Sequence, residues 1–294
     1  MVILALTAAL LYGSADFLGG VAARRASPFA VMAVTMPAGA VVMLAVAGFG
    51  ATLGGGDLAA AAWAGTAWAV AGGVAGAVGL AAFYAGFARA PMSVVAPVSA
   101  LTSTVLPVGV AVVGGERPGV SVVVGAVACL AAIVLVSAHS DASVTTPVTS
   151  ARRARLRGLG YGALAGASFG LFFLFMKYAG HSGVLWPVAV QRLTGSVVAL
   201  VALAATRTRP LWRGEGATPR LLVIALASGV VDATANVCYI LATRAGEFGL
   251  AVVITSLYPG ATVLLARLVL RERVRAVQQI GLVLAAVGIV LVTA

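Results

Sequence analysis

The 294-residue chain is short of charge and shortest of acid: 8 Asp and Glu stand against 19 Lys and Arg, and charged residues make up 9% of it. A soluble globular domain carries about 25%, so composition excludes a water-facing surface over most of this chain. Cysteine is scarce as well. The 2 cysteines, Cys129 and Cys238, both fall inside apolar runs, which argues against a disulfide framework. The 2 histidines, His139 and His181, lie in or beside loops. No HExxH or paired intramembrane histidine is present to hold a metal. No phosphate-binding Gly-Lys-Ser/Thr loop occurs, so ATP-driven work is not expected. GASFG (Gly166–Gly170) matches a serine-nucleophile pattern. That pattern needs a strand-to-helix elbow, and here it sits in an apolar run with no base. Neither enzyme activity nor a cofactor is expected.

What the chain has instead is apolar length. Hydrophobic residues make up 62% of it and the mean hydropathy is +1.10. They come in runs of about 20, the length that crosses a bilayer as a helix. The ~10-residue alternating segments of a membrane β-barrel are missing. The net charge of +11 does not point to nucleic acid. The arginines lie between hydrophobic runs rather than on one face, which is a signature of membrane topology. The N-terminal MVILALTAALLYG lacks the basic start of a secretory signal and reads as an uncleaved first helix.

The expected fold is an all-α polytopic membrane protein. Ten spans are predicted, at 2–23, 29–49, 64–88, 92–113, 119–138, 158–180, 183–205, 220–242, 248–270 and 275–293. A polar, basic linker at 139–157 separates five spans (1–138) from five (158–294).

The two halves repeat. At an offset of 156, Leu101 meets Leu257, Glu116-Arg117 meets Glu272-Arg273, Gly125 meets Gly281, and Ile133–Val136 meets an identical IVLV. At 155, Tyr84 meets Tyr239 and Arg89-Ala90 meets Arg244-Ala245. Charges and glycines recurring in order are not a by-product of apolar composition. Each half holds an odd number of spans, so the second enters the membrane from the opposite side. Such inverted repeats are the architecture of many secondary transporters, with the site near the midplane where the repeats meet.

The paired Tyr…Arg-Ala motifs, the TSLYPGATVLLARLVLRERV segment (Thr255–Val274) and the glycine-containing closing helices resemble the EamA branch of the drug/metabolite transporter superfamily. The resemblance runs over nearly the whole chain. It implies a ten-helix carrier of small metabolites, often an exporter of amino acids or drugs. Met36 stands where the second repeat has Arg192, and Ser103 where it has Pro259, so the halves are not functionally equivalent. Orientation draws two opposed expectations. Loops after odd-numbered spans hold most of the arginines, which places both termini outside, whereas the resemblance implies both inside.

Polar residues within the spans are the site candidates. An ionised carboxylate at the bilayer centre costs about 2.5–3.5 kcal/mol even on the lenient insertion scale, so an intramembrane acid needs a cavity or a partner. Asp232 lies twelve residues from both Arg220 and Arg244, about 18 Å along a helix from either end. Asn236 and Tyr239 follow on the same face. Asp16 has Tyr12 at i−4. Ser99, Thr102 and Ser103 make a hydroxyl stripe in the fourth span, and Thr255, Tyr258 and Pro259 occupy the matching positions in the ninth. Pro259 permits a local break, tolerable where the freed carbonyl lines a cavity or meets a partner.

Tyr12, Asp16, Tyr84, Ser99, Thr102, Asp232, Asn236, Tyr239, Thr255 and Tyr258 are the substrate-binding candidates. Arg192 and Pro259 are gating or structural ones. Each has a plainer alternative. For Asp232 and Asn236 it is an interhelical clamp, which the cost of a buried acid ranks second to cavity lining. For the hydroxyls it is helix glue, the commoner role, and for the tyrosines packing or an interfacial place. Arg192, beside Gln191, needs a carbonyl or carboxylate partner, with Asp232, Asp16 and a substrate carboxylate as the options. Glu116 and Glu272 read as loop ion pairs with neighbouring arginines. Gly72/Gly76 and Gly162/Gly166/Gly170 have the spacing of close helix contacts.

The function expected is secondary transport, most plausibly export, of a small metabolite such as an amino acid, by alternating access across a lipid bilayer. Protons are a candidate coupling ion through Asp232, since burial disfavours a charged carboxylate. A cationic-drug exporter and a non-transporting membrane scaffold are the alternatives.

Overall fold

In a bilayer every backbone polar group must be satisfied within the chain, and the chain meets this demand with helices. The computed structural model describes residues 1–23, 25–54, 58–90, 92–117, 119–137, 148–211, 218–270 and 276–293, and no strand occurs among them. The first half holds α1 (Val2–Ala23), α2 (Pro28–Gly54), α3 (Leu58–Arg89), α4 (Met92–Val113) and α5 (Val120–Ser137). The second holds α6 (Val148–Ala179), α7 (Leu185–Ala205), α8 (Pro219–Arg244), α9 (Phe248–Thr255), α10 (Tyr258–Leu270) and α11 (Ala276–Thr293). A 3-10 turn, Gly180–Ser182, follows α6.

Each of the ten expected spans carries helix among the described residues. Among the described residues, six stretches are long and apolar enough to cross a membrane: Val2–Ala23, Pro28–Phe49, Gly65–Phe87, Leu156–Ser182, Leu185–Ala205 and Pro219–Arg244. The protein is therefore a multi-pass membrane protein. The other four spans carry shorter described apolar stretches, at 98–113, 120–135, 248–262 and 279–288.

Two boundaries differ from expectation for one reason. Helix α6 starts at Val148, inside the segment read as a linker, and α3 starts at Leu58 rather than near 64. Hydropathy marks where lipid begins, whereas Ala- and Arg-rich sequence propagates a helix into water. Residues 139–147, the rest of the linker, lie outside the described residues, as do Ala138 and Glu272.

The ninth span is interrupted. Helix α9 stops at Thr255 and α10 resumes at Tyr258. Pro259 has no N–H to give to the Thr255 carbonyl. The chain passes the gap through tighter bonds, Leu257 N–H to Ile254 O at 3.2 Å and Gly260 N–H to Leu257 O at 2.9 Å.

Small residues set the packing. Gly162, Gly166 and Gly170 of α6 face Val98, Thr102 and Ser103 of α4 in register, and Gly72, Gly76 and Gly79 of α3 face Met176, Phe172 and Phe169 of α6 in descending order. So α6 runs parallel to α4 and antiparallel to α3. On the other flank Tyr12 meets Asn236 and Ala15 meets Ser228, which makes α1 and α8 antiparallel. The tightest crossing is at Gly229, where an added Cβ would collide with the Thr35 carbonyl of α2.

Candidate functional site

Asp232, half-buried on α8, does not stand alone. Its carboxylate accepts a hydrogen bond from Nη2 of Arg192 on α7, and the two form an ion pair. Arg192 is 1% exposed, and a buried guanidinium without a partner would be untenable. Of the three partners open to it, the fold supplies Asp232. A second arginine nitrogen, Nη1, approaches Met36 Sδ at 3.5 Å.

Asn236, one turn along α8, is fixed at both ends. Its Nδ2 donates to the Asp232 carbonyl at 2.7 Å, and its Oδ1 accepts from the Tyr12 hydroxyl of α1 at 2.9 Å. The Tyr12 ring stands edge-on to Phe173 of α6, with centroids 6.1 Å apart.

These groups border one cavity. Its polar wall is Tyr12 and Asp16 of α1, Gln191 and Arg192 of α7, Asp232 and Asn236 of α8, and Tyr258 of α10. The rest of the lining is apolar: Phe169, Phe172 and Phe173 of α6, with Leu80, Gly76 and Met36. About 560 Å³ of atom-free space, open solvent included, adjoins these residues. Buried polar atoms nearly always find partners, yet three on this wall have none within the described protein: Gln191 Oε1, Arg192 Nε and the Tyr258 hydroxyl. Tyr258 neighbours Ser99 outside hydrogen-bond geometry.

Other candidates lie elsewhere. Tyr84, Ser99, Thr102, Tyr239 and Thr255 do not border this cavity. Thr102 donates to the Val98 carbonyl of its own helix at 2.7 Å, which is helix glue. Ser99 and Thr255 are fully buried, with unpartnered hydroxyls. Tyr239 donates to the Phe173 carbonyl at 2.9 Å. Glu116 departs from the expected arginine pairing. Its two oxygens accept the first N–H groups of α9, from Phe248 at 2.9 Å and Gly249 at 3.0 Å, and a carboxylate is well placed at a helix N-terminus.

The sequence reading missed the phenylalanine wall. Four of the chain's 10 phenylalanines, at 169, 172, 173 and 175, cluster on α6, and the first three recur at helical spacing. That density was the available signal. A second cavity, between α4, α5 and α9, is larger at about 1140 Å³. It is walled by Val, Leu and Ala with Glu116 and Glu247 at one end, so it lacks convergent polar groups.

The sequence model of the EamA-like transporter family matches residues 1–138 and 156–294. The chain belongs to the EamA-like transporter family. It is thus a membrane transporter of the drug/metabolite transporter superfamily, whose members are carriers rather than enzymes. A solved structure titled "Crystal structure of protein" superposes with a TM-score of 0.76 at 19% identity, covering 99% of this chain and 95% of that one. At that identity the likeness shows a shared fold alone. No curated protein matches the chain.

Proposed function

We propose that this EamA-family member exports small zwitterionic metabolites, amino acids or close relatives, by alternating access between two inverted five-helix repeats. One observation carries the reading: groups of both charge signs, unpartnered hydrogen-bonding atoms and an aromatic wall converge on one cavity. Arg192, with Nε unspent and Gln191 beside it, is the seat for a carboxylate. Asp16 is the seat for an ammonium, because the Asp232 carboxylate already holds Arg192. Phe169, Phe172 and Phe173 give an apolar side chain its surface.

The inverted-repeat part of the reading is supported by reciprocal contacts. Met36 and Arg192, equivalent at the offset of 156, touch one another. A Cβ on Gly39 would meet Arg192 Cδ at 3.2 Å, and one on Gly195, its equivalent, would meet Met36 Sδ at 3.1 Å. Reciprocity of this kind is what a two-fold relation generates. Proton exchange at Asp16 is the coupling that goes with the proposal.

Proteoliposome counterflow tests it. A zwitterionic amino acid should compete with labelled substrate at least tenfold better than the amine lacking its carboxylate or the acid lacking its ammonium. Asp16→Asn should erase the preference over the acid. Equal competition by all three refutes the zwitterion site. A cationic-drug exporter is the second reading, favoured by two carboxylates against one guanidinium on the polar wall. It requires the amine to win that competition.

A further inference from the structure

Four of the helices around the cavity form two antiparallel pairs, with α7 packed on α3 and α2 packed on α8. Helix α1 lies along α8, and α3 lies along α6. Between the pairs the contact is slight, since α1 meets α3, and α6 meets α8, only briefly. Two buried tyrosines cross those two gaps.

Tyr84 of α3, 2% exposed, reaches α1. Its hydroxyl sits on Gly19 beside the Ser228 hydroxyl of α8. A Cβ at Gly19 would collide with that phenol oxygen, so glycine keeps the seat open. Tyr239 of α8, 0% exposed, reaches α6. Its hydroxyl donates to the Phe173 carbonyl, and its ring lies 4.8 Å from the Phe173 ring.

The two crossings bracket the cavity. Gly19 is three residues past Asp16 toward the α1 C-terminus, and Tyr239 is three past Asn236 toward the α8 C-terminus. Because α1 and α8 are antiparallel, those directions are opposite. The sequence repeat also pairs the two tyrosines at its offset of 155.

We propose that Tyr84 and Tyr239 are the two gate latches of the transport cycle, each tying the α1/α8 pair to the α3/α6 pair at one end of the cavity. Both are engaged in this structure, one on either side of the cavity. Release of Tyr84 opens the end where α1 and α3 terminate, and release of Tyr239 opens the other. Gate opening is then a parting of the two helix pairs about whichever latch remains.

The test is side-resolved thiol labelling. Leu80→Cys places a reporter on the cavity wall, in a full-length chain with Cys129→Ala and Cys238→Ala. A membrane-impermeant maleimide is added to right-side-out and to inverted vesicles. Loss of one latch hydroxyl, worth about one hydrogen bond, should shift the two-sided labelling ratio roughly threefold to tenfold. Tyr84→Phe should shift it toward the α1/α3 C-terminal side, Tyr239→Phe toward the other, and the double variant should restore it. A misfolded fraction labels alike from both sides, so opposite shifts report gating.

The proposal rests on the transport reading, and the two fail separately. Labelling from both sides with a ratio indifferent to either Phe variant, or shifted the same way by both, overturns the latches alone. A reporter sealed from both sides in every variant overturns the transport reading, and the latches with it.

Discussion

Asp232→Leu should destabilise the protein more than Arg192→Met, although both break the same ion pair. Removing Asp232 strands a guanidinium that is 1% exposed, and breaking a buried pair in this way costs about 3–5 kcal/mol. Removing Arg192 leaves a carboxylate whose side chain keeps 28% exposure, opening on the cavity. Water or a cation reaches it there, so the penalty falls to about 1–3 kcal/mol, that of an imperfectly satisfied polar group. Replacing both by apolar residues of similar volume should recover most of the loss, to within about 1 kcal/mol of the native chain. Equilibrium unfolding in mixed micelles measures all four proteins. An Arg192→Met protein less stable than Asp232→Leu, or a double variant showing the sum of both losses, would falsify the pairing argument. Flux is read in parallel: the double variant should be stable and inactive, because it has lost the seat proposed for the substrate carboxylate.

Two further outcomes follow from the packing. Gly229→Ala should reduce the yield of folded protein and cost about 3 kcal/mol, the upper end for overpacking, since its Cβ meets the immovable Thr35 backbone. Gly260, with nothing within 4 Å, is the matched control, and only the helix-propensity gain of up to about 1 kcal/mol should appear there. Glu116→Ala should loosen α9 by about 1 kcal/mol, the usual worth of an N-terminal cap. Hydrogen exchange should rise about fivefold at the Phe248 and Gly249 amides while α8 stays unchanged. Unaltered exchange at those two amides would show that the Glu116 bonds contribute nothing.

Much of the frame was legible in the sequence because lipid leaves the chain few choices. Apolar runs of membrane length marked the spans, and the proline at 259 marked where the ninth one breaks. Asp232 stood out because a lone acid at mid-span demands a partner or a cavity. What the spacing could not reveal was which neighbour each polar face meets. Helical periodicity places Tyr239 on the stripe of Asp232 and Asn236, but the phenol reaches past the cavity to the Phe173 carbonyl. Arg192 had three candidate partners until the fold brought α7 to α8 at the Asp232 carboxylate. The phenylalanine wall escaped notice for a related reason. In a helix that is apolar all round, no polar contrast marks the face turned toward a ligand. Hydropathy likewise carries no signal for the start of α6, since a helix does not end where the membrane does.

The central claim, that the cavity between Asp16 and Arg192 is the transported molecule's seat, is tested most directly by a structure with an amino acid bound. The account predicts density between Phe172 and Asn236, with the carboxylate on Arg192 and the ammonium on Asp16. Density in the apolar cavity between α4, α5 and α9, with the central one unchanged, would contradict it.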